Sequence, residues 1–215
     1  MSVLRLWLVI AIVAAIAGMG ARDASADNAQ DCFSEDFNRR IQGCTDIIER
    51  GTLSRGELSS AYAERALAYS MKGRHDQAIR DYDRAIELVP DYPIALNNRA
   101  WSYFRSGQGP VGLKDVEASL RLSPNSGESY DTRAHIRQTM GNREGAILDY
   151  DLAMRFGGER LIKMYQCGLT ERKFYKGPTD GIWNPELRAA LVQCVRGSSD
   201  CDPLPADEQC KAATS

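Results

Sequence analysis

Small residues, aromatics and helix breakers recur every 34 residues through the middle of this chain, and that period constrains the fold more than any other feature. Ala66, Ala100 and Ala134 stand in register, as do Gly73, Gly107 and Gly141; Tyr82, Val116 and Tyr150; and Pro90, Pro124 and Gly158. A unit of this length holds two helices and a turn, and neither helix can bury its apolar stripe alone, so successive hairpins must pack together. The expected fold class is all-α: a helical-hairpin solenoid of three repeats with an N-terminal half-repeat, followed by a small disulfide-stabilised helical domain.

The block 59–92 shows the logic. Tyr62, Ala66 and Tyr69 form one stripe at helical spacing, and Gly73 follows Lys72 where a helix ends. A second helix starts near His75 and Asp76, with Ala78, Ile79, Tyr82, Ala85 and Ile86 facing inward, and Pro90 closes it. Blocks beginning at Pro93 and Gly127 repeat the scheme. Over 59–160 the pattern resembles the tetratricopeptide repeat family. Two positions depart from it, Arg137 where Tyr69 and Tyr103 stand and Gly158 where Pro90 and Pro124 stand, both in the last repeat. Residues 27–58 read as a half-repeat cap, with Cys44 in register with Ala78 and Ile48 with Tyr82; an unrelated leading helix is the alternative.

Charge follows the same period. Arg65, Arg99 and Arg133 lie on first helices, and Asp81, Asp115 and Asp149 on second helices. The register predicts an Arg–Asp pair inside every repeat. The Asp-Tyr-Asp runs at 81–83 and 149–151 are then structural, despite their likeness to a paired-carboxylate site.

At the N-terminus, Arg5, the apolar run Leu6–Ile16 and the Ala24-Ser25-Ala26 pattern read as a signal peptide over 1–26; an uncleaved anchor is the alternative. The chain is thus expected to be periplasmic or secreted. Removing a leader that carries Arg5, Arg22 and Asp23 (net +1) shifts the formal charge from −2 to −3, so no broad basic field remains to gather nucleic acid or an anionic membrane. The six cysteines, Cys32, Cys44, Cys167, Cys194, Cys201 and Cys210, form an even set that reads as disulfides in an exported chain. Proximity favours Cys32–Cys44, Cys167–Cys194 and Cys201–Cys210. A zinc site is the rival reading, but no C-x-x-C pair occurs and His75 and His135 are remote from the cysteines in sequence.

The family resemblance implies a partner groove lined by first-helix residues that do not face the second helix. The group with most binding character is Asn97, Asn98, Trp101, Phe104 and Arg105, joined by Asp131, His135 and Gln138 from the next repeat; aromatic area beside a guanidinium is a frequent composition at binding hot spots. The groove offers one arginine and no lysine, so the resemblance does not extend to a clamp for a C-terminal carboxylate. Trp101 and Phe104 packing against the neighbouring segments is the other reading.

Past the repeats the composition changes. Residues 161–196 resemble a small peptidoglycan-binding helical module through Gln166, the turn Tyr175-Lys176-Gly177-Pro178-Thr179-Asp180-Gly181-Ile182-Trp183, and a helix carrying Leu187 and Leu191. In that resemblance Asp180 caps the turn, Trp183 anchors it, and Tyr175, Gly177 and Gly181 shape it; Asn184 stands in place of a glycine and Leu187 in place of a threonine. Residues 197–215 read as a disulfide-looped flexible tail.

No Ser-x-x-Lys, Gly-x-Ser-x-Gly or His-Glu-x-x-His pattern occurs. The sequence therefore points to a non-enzymatic interaction protein of a bacterial envelope, with no cofactor and no metal. A protein or peptide occupies the groove, and peptidoglycan is a candidate for the C-terminal module. The alternatives are a structural or assembly factor whose C-terminal module only caps the solenoid and, more remotely, an envelope hydrolase using Asp180 and Glu186.

Overall fold

The computed structural model describes residues 29–197, 201–205 and 210; the leader expected at 1–26 lies outside them. Every regular element among the described residues is helical: α1 (Phe37–Glu49), α2 (Arg55–Met71), α3 (His75–Leu88), α4 (Pro93–Arg105), α5 (Gly109–Leu122), α6 (Gly127–Thr139), α7 (Arg143–Glu171) and α8 (Pro185–Gly197). None of these helices is long and apolar enough to cross a membrane. The chain forms two compact units that meet in sequence between Pro90 and Asp91.

The period is written into the helix ends. α2, α4 and α6 each stop at the conserved-spacing glycine, with φ of 70° at Gly73, 78° at Gly107 and 80° at Gly141. Each glycine N–H reaches back to the last turn (to Ser70, Phe104 and Gln138), and the next residue bonds the carbonyl of Tyr69, Tyr103 or Arg137 at 2.7–2.9 Å. These paired bonds satisfy carbonyls that a helix end leaves open, and the left-handed conformation costs any residue with a Cβ about 1 kcal/mol or more.

In the first unit, Asp36 opens α1 by accepting from the N–H groups of Asn38 and Arg39. Cys32 and Cys44 are fully buried and bridged, as the spacing suggested, and a Cβ on Gly43 would lie 2.6 Å from the Cys32 nitrogen. The bridge therefore needs glycine beside it. α2 starts with a reciprocal cap between Ser54 and Glu57. Ala66, Ala78, Tyr82 and Ala85 are fully buried between α2 and α3.

All three expected Arg–Asp pairs form, and each is a fork. Arg65 meets Asp81 at 2.7 and 2.9 Å, Arg99 meets Asp115 at 2.7 and 2.9 Å, and Arg133 meets Asp149 at 2.9 and 2.7 Å. The aspartates are buried, so the pairing neutralises charge that could not otherwise be placed there. Arg137, the departure from the aromatic register, adds a second guanidinium to Asp149 at 2.7 Å. A smaller device shows the same register. Ser59 donates to the Ala85 carbonyl at 2.8 Å in the first hairpin, whereas Ser119 donates to the Pro93 carbonyl at 2.9 Å in the second. The hydroxyl has changed helices because proline has none to offer.

In the second unit the helix α7 is broken at Gly158, with φ 65° and ψ −161°, the position where Pro90 and Pro124 end earlier repeats. The arm 159–171 continues the period, with Gly168 in register with Ala134 and Cys167 with Arg133. α8 packs on α7 through Leu187, Ala190, Leu191, Cys194 and Val195, all buried. Forked pairs Arg188–Asp151 and Arg196–Glu144 tie their rims, but both are largely solvated and contribute little.

Two of the disulfides expected from proximity are re-paired: Cys167 bonds Cys210, and Cys194 bonds Cys201. Their Cα–Cα separations are 5.7 and 5.5 Å, inside the bridging range. The reason is the path of the tail. Instead of looping out, 201–205 runs across the arm 159–171, with Cys201 and Leu204 buried in the main core. A Cβ on Gly168 would overlap the backbone of Pro203, Leu204 and Pro205. Cys167 thus takes the place of the repeat arginine, and its covalent bond to the tail replaces the ion pair to a second helix.

Candidate functional site

The eight groove residues expected from the sequence all lie in the second unit, on α4 and α6, and the structure divides them into two groups. Asn98, Trp101 and Phe104 are half-buried on α4 and Arg105 is exposed. The Trp101 and Phe104 rings lie 5.1 Å apart, and the Arg105 guanidinium sits 5.6 Å from the Trp101 ring centre. Asn97 is buried; its amide donates to Asn98 at 3.2 Å while its Oδ1 has no hydrogen-bond partner among the described residues. This group keeps a partly accessible aromatic surface beside a cation, with the Asn97 amide oxygen sealed from solvent.

The α6 group is covered. Asp131, His135 and Gln138 are all buried; the chain's own 201–205 bonds His135 and Gln138, and Tyr165 bonds Asp131. Gln138 donates to the Cys201 carbonyl at 2.8 Å and accepts from the Tyr150 hydroxyl at 3.1 Å. His135 Nε2 lies 3.1 Å from the Asp202 carboxylate, and Nδ1 lies 2.8 Å from the Asp131 carbonyl. Both partners are pure acceptors, so both ring nitrogens must donate and the imidazole is held as a cation. Burial alone would depress its pKa, but the carboxylates of Asp131 and Asp202 outweigh it and raise it to about 9. Asp131, deep inside and bonded by Tyr165, is pushed up by burial. Asp202 is penalised by burial too, yet the His135 hydrogen bond and charge hold it low, helped by the Leu204 N–H at 2.9 Å. The negative charge that balances His135 therefore resides mainly on the tail.

Aromatic rings connect the two groups. His135 is 5.3 Å from both Trp101 and Phe104 and 5.2 Å, edge-on, from Tyr150. The spacing of Trp101 and His135 was visible in sequence; the burial of His135 was not, because its cover comes from residues 67 positions away.

The turn 175–183 is built through Gln166, Asp180, Tyr175 and Asn184. Asp180 accepts from the Ile182 N–H at 2.9 Å, as expected of a capping residue. The organiser is Gln166, fully buried, which donates to Asp180 and to the Ile182 carbonyl and accepts from Gly181 N–H at 2.7 Å. Buried Tyr175 is held by Asn184, whose carbonyl also caps α8 at Leu187. Trp183, expected to anchor the turn, is 49% exposed. It forms one wall of a cavity of about 510 Å³ lined by Asp151, Met154, Arg155, Gly158, Ile162 and Arg188. Among the described residues no cluster of His, Cys, Asp and Glu is arranged to hold a metal ion.

Residues 66–107 match the family model described as the TPR repeat. Hsp70-Hsp90 organizing protein 2 of Arabidopsis thaliana is 26% identical over 151 residues, 63% of this chain and 26% of that protein. RNA polymerase II-associated protein 3 of Xenopus laevis is 24% identical over 136 residues, 63% of this chain and 21% of that protein. This chain spans about a quarter or less of the length of those relatives. Among solved structures, the first TPR of Spaghetti (RPAP3) bound to an HSP90 peptide is 25% identical, with a TM-score of 0.46 over 47% of this chain and 80% of that one.

Proposed function

We propose that this tetratricopeptide-repeat chain is an exported, non-enzymatic adaptor that holds a segment of a partner protein against Trp101, Phe104 and Arg105. The carrying observation is the half-open aromatic pair beside an exposed guanidinium. A bound polypeptide supplies apolar surface for the rings. The match to the TPR repeat model and relatives named for organizing chaperones support an interaction role. The first acid of each Asp-Tyr-Asp run, Asp81 and Asp149, is held by an arginine, which favours binding over catalysis. Export is supported by the Ala24-Ser25-Ala26 pattern and by three disulfides in one chain.

The test is partner capture from a periplasmic extract by the oxidised chain, compared with Trp101→Ala/Arg105→Ala. Recovery in the double variant should fall at least tenfold; equal recovery refutes the reading. A second reading, docking on peptidoglycan, rests on the half-exposed Trp183 at the mouth of its cavity. Wild type should co-sediment with purified sacculi and Trp183→Ala should not. If wild type stays in the supernatant, the C-terminal module is a cap only.

A further inference from the structure

We propose that the α6 face formed by Asp131, His135 and Gln138 is a peptide site that residues 201–205 of this same chain already occupy. Its external partner is then an extended protein segment with the chemistry of that strap. The inference rests on the interaction reading above and names the ligand class.

The strap makes the contacts of a ligand. Its Cys201 carbonyl accepts from Gln138, its Asp202 carboxylate accepts from His135, and its Leu204 side chain is buried in the core. Both residues that bond the strap, His135 and Gln138, stand with Asp131, which backs His135, on the first helix of the third repeat. The three occupy the register positions that Asn97, Trp101 and Phe104 hold one repeat earlier. The strap is itself neither helix nor strand. Prolines at 203 and 205 favour an extended backbone, so little conformational freedom is lost in docking it. The site thus selects a backbone carbonyl, an acidic side chain on the next residue, and an aliphatic side chain two residues further on.

Two bridges keep the strap in place. Cys194–Cys201 and Cys167–Cys210 fasten it on both sides, so it competes at the high effective concentration of a short tether, in the millimolar range or above. A free peptide with the same contacts cannot displace it while the bridges last. Each bridge opens by exchange with a dithiol: two electrons and two protons pass to the pair of cysteines, and the dithiol leaves as its own disulfide. The strap then competes as an ordinary flexible segment.

A fluorescein-labelled peptide Ser-Asp-Pro-Leu-Pro, copying 201–205 with serine for the cysteine, tests this by fluorescence anisotropy on the full chain. The oxidised protein should not bind it. The protein reduced with dithiothreitol should bind at least tenfold more tightly than the oxidised form. So should Leu204→Asp, which ejects the strap while leaving every cysteine in place. Replacing the peptide's Asp by Asn, or its Leu by Ala, should weaken binding at least tenfold, and adding His135→Ala to Leu204→Asp should abolish it. Far-UV circular dichroism establishes which forms remain helical, and the Leu204→Asp arm decides the matter if reduction unfolds the chain. The proposal is overturned if a helical, strap-released form binds no better than the oxidised one, or if the Asn peptide binds equally well; the strap is then a structural cap. Partner capture by the oxidised chain through Trp101 and Arg105 is unaffected by that outcome, so the two readings fail separately.

Discussion

Replacing His135 by Gln should remove a stability term that wild type loses between neutral and alkaline pH. Each ring nitrogen of His135 donates to an acceptor, and the ring is 3% exposed. Its pKa rises from 6.5 when unfolded to about 9 in the fold, because Asp131 and Asp202 outweigh burial. A raised pKa means the folded chain holds the proton more tightly. The stabilisation is therefore complete below pH 6.5 and is lost as pH climbs through 9. At about 1.4 kcal/mol per unit the shift corresponds to about 3 kcal/mol. Tyr150 and Tyr165, pushed well above 10 by burial, and Asp202, held low by the His135 hydrogen bond, leave this window clear, while burial raises Asp131. Urea unfolding of the oxidised protein at pH 6 and pH 9.5, followed by intrinsic fluorescence, reads this unit because Trp101 and Trp183 both lie in it. Wild type should lose about 3 kcal/mol more than His135→Gln across that interval. A difference below about 1 kcal/mol would refute the doubly donating ring.

Removing Arg99 alone (Arg99→Met) strands Asp115, whose side chain is 5% exposed, and should cost about 3–5 kcal/mol in denaturant unfolding; Arg99→Met/Asp115→Leu should recover most of it. Arg137→Tyr, which restores the aromatic register, should cost far less, because Asp149 keeps its fork with Arg133. Gly158→Ala should lower stability by about 1–3 kcal/mol, because φ 65° with ψ −161° is a conformation essentially reserved to glycine, with helical content unchanged by circular dichroism. Gln166→Leu leaves the Gly181 N–H without its acceptor and should cost about 2 kcal/mol, whereas Trp183→Ala should barely move the melting temperature.

The repeat region was legible because its determinants are local or periodic. Helix ends at Gly73, Gly107 and Gly141 follow from a backbone conformation that glycine tolerates, and Arg65, Arg99 and Arg133 find Asp81, Asp115 and Asp149 because hairpin geometry repeats with the sequence. Arg137 was readable only as an exception; its role appears once Asp149 is seen between two guanidinium groups. The turn residues were only half legible. Asp180 acts on its neighbours, as such residues do, but Gln166 acts across 15 residues and Trp183 does not anchor what a tryptophan ordinarily would.

By itself, the sequence determined an all-helical hairpin array with an ion pair in each repeat, since periodic burial and short-range capping leave no other solution. Tertiary structure alone decided how Cys167, Cys194, Cys201 and Cys210 pair and which groove residues are open. Both follow from the path of 201–205 across Gly168, where the missing Cβ lets a backbone lie against the arm 159–171. No local pattern encodes that path. It is set by a hydrogen-bond acceptor for Gln138, a counter-charge for His135 and a core site for Leu204, three conditions that coincide only after the chain has folded.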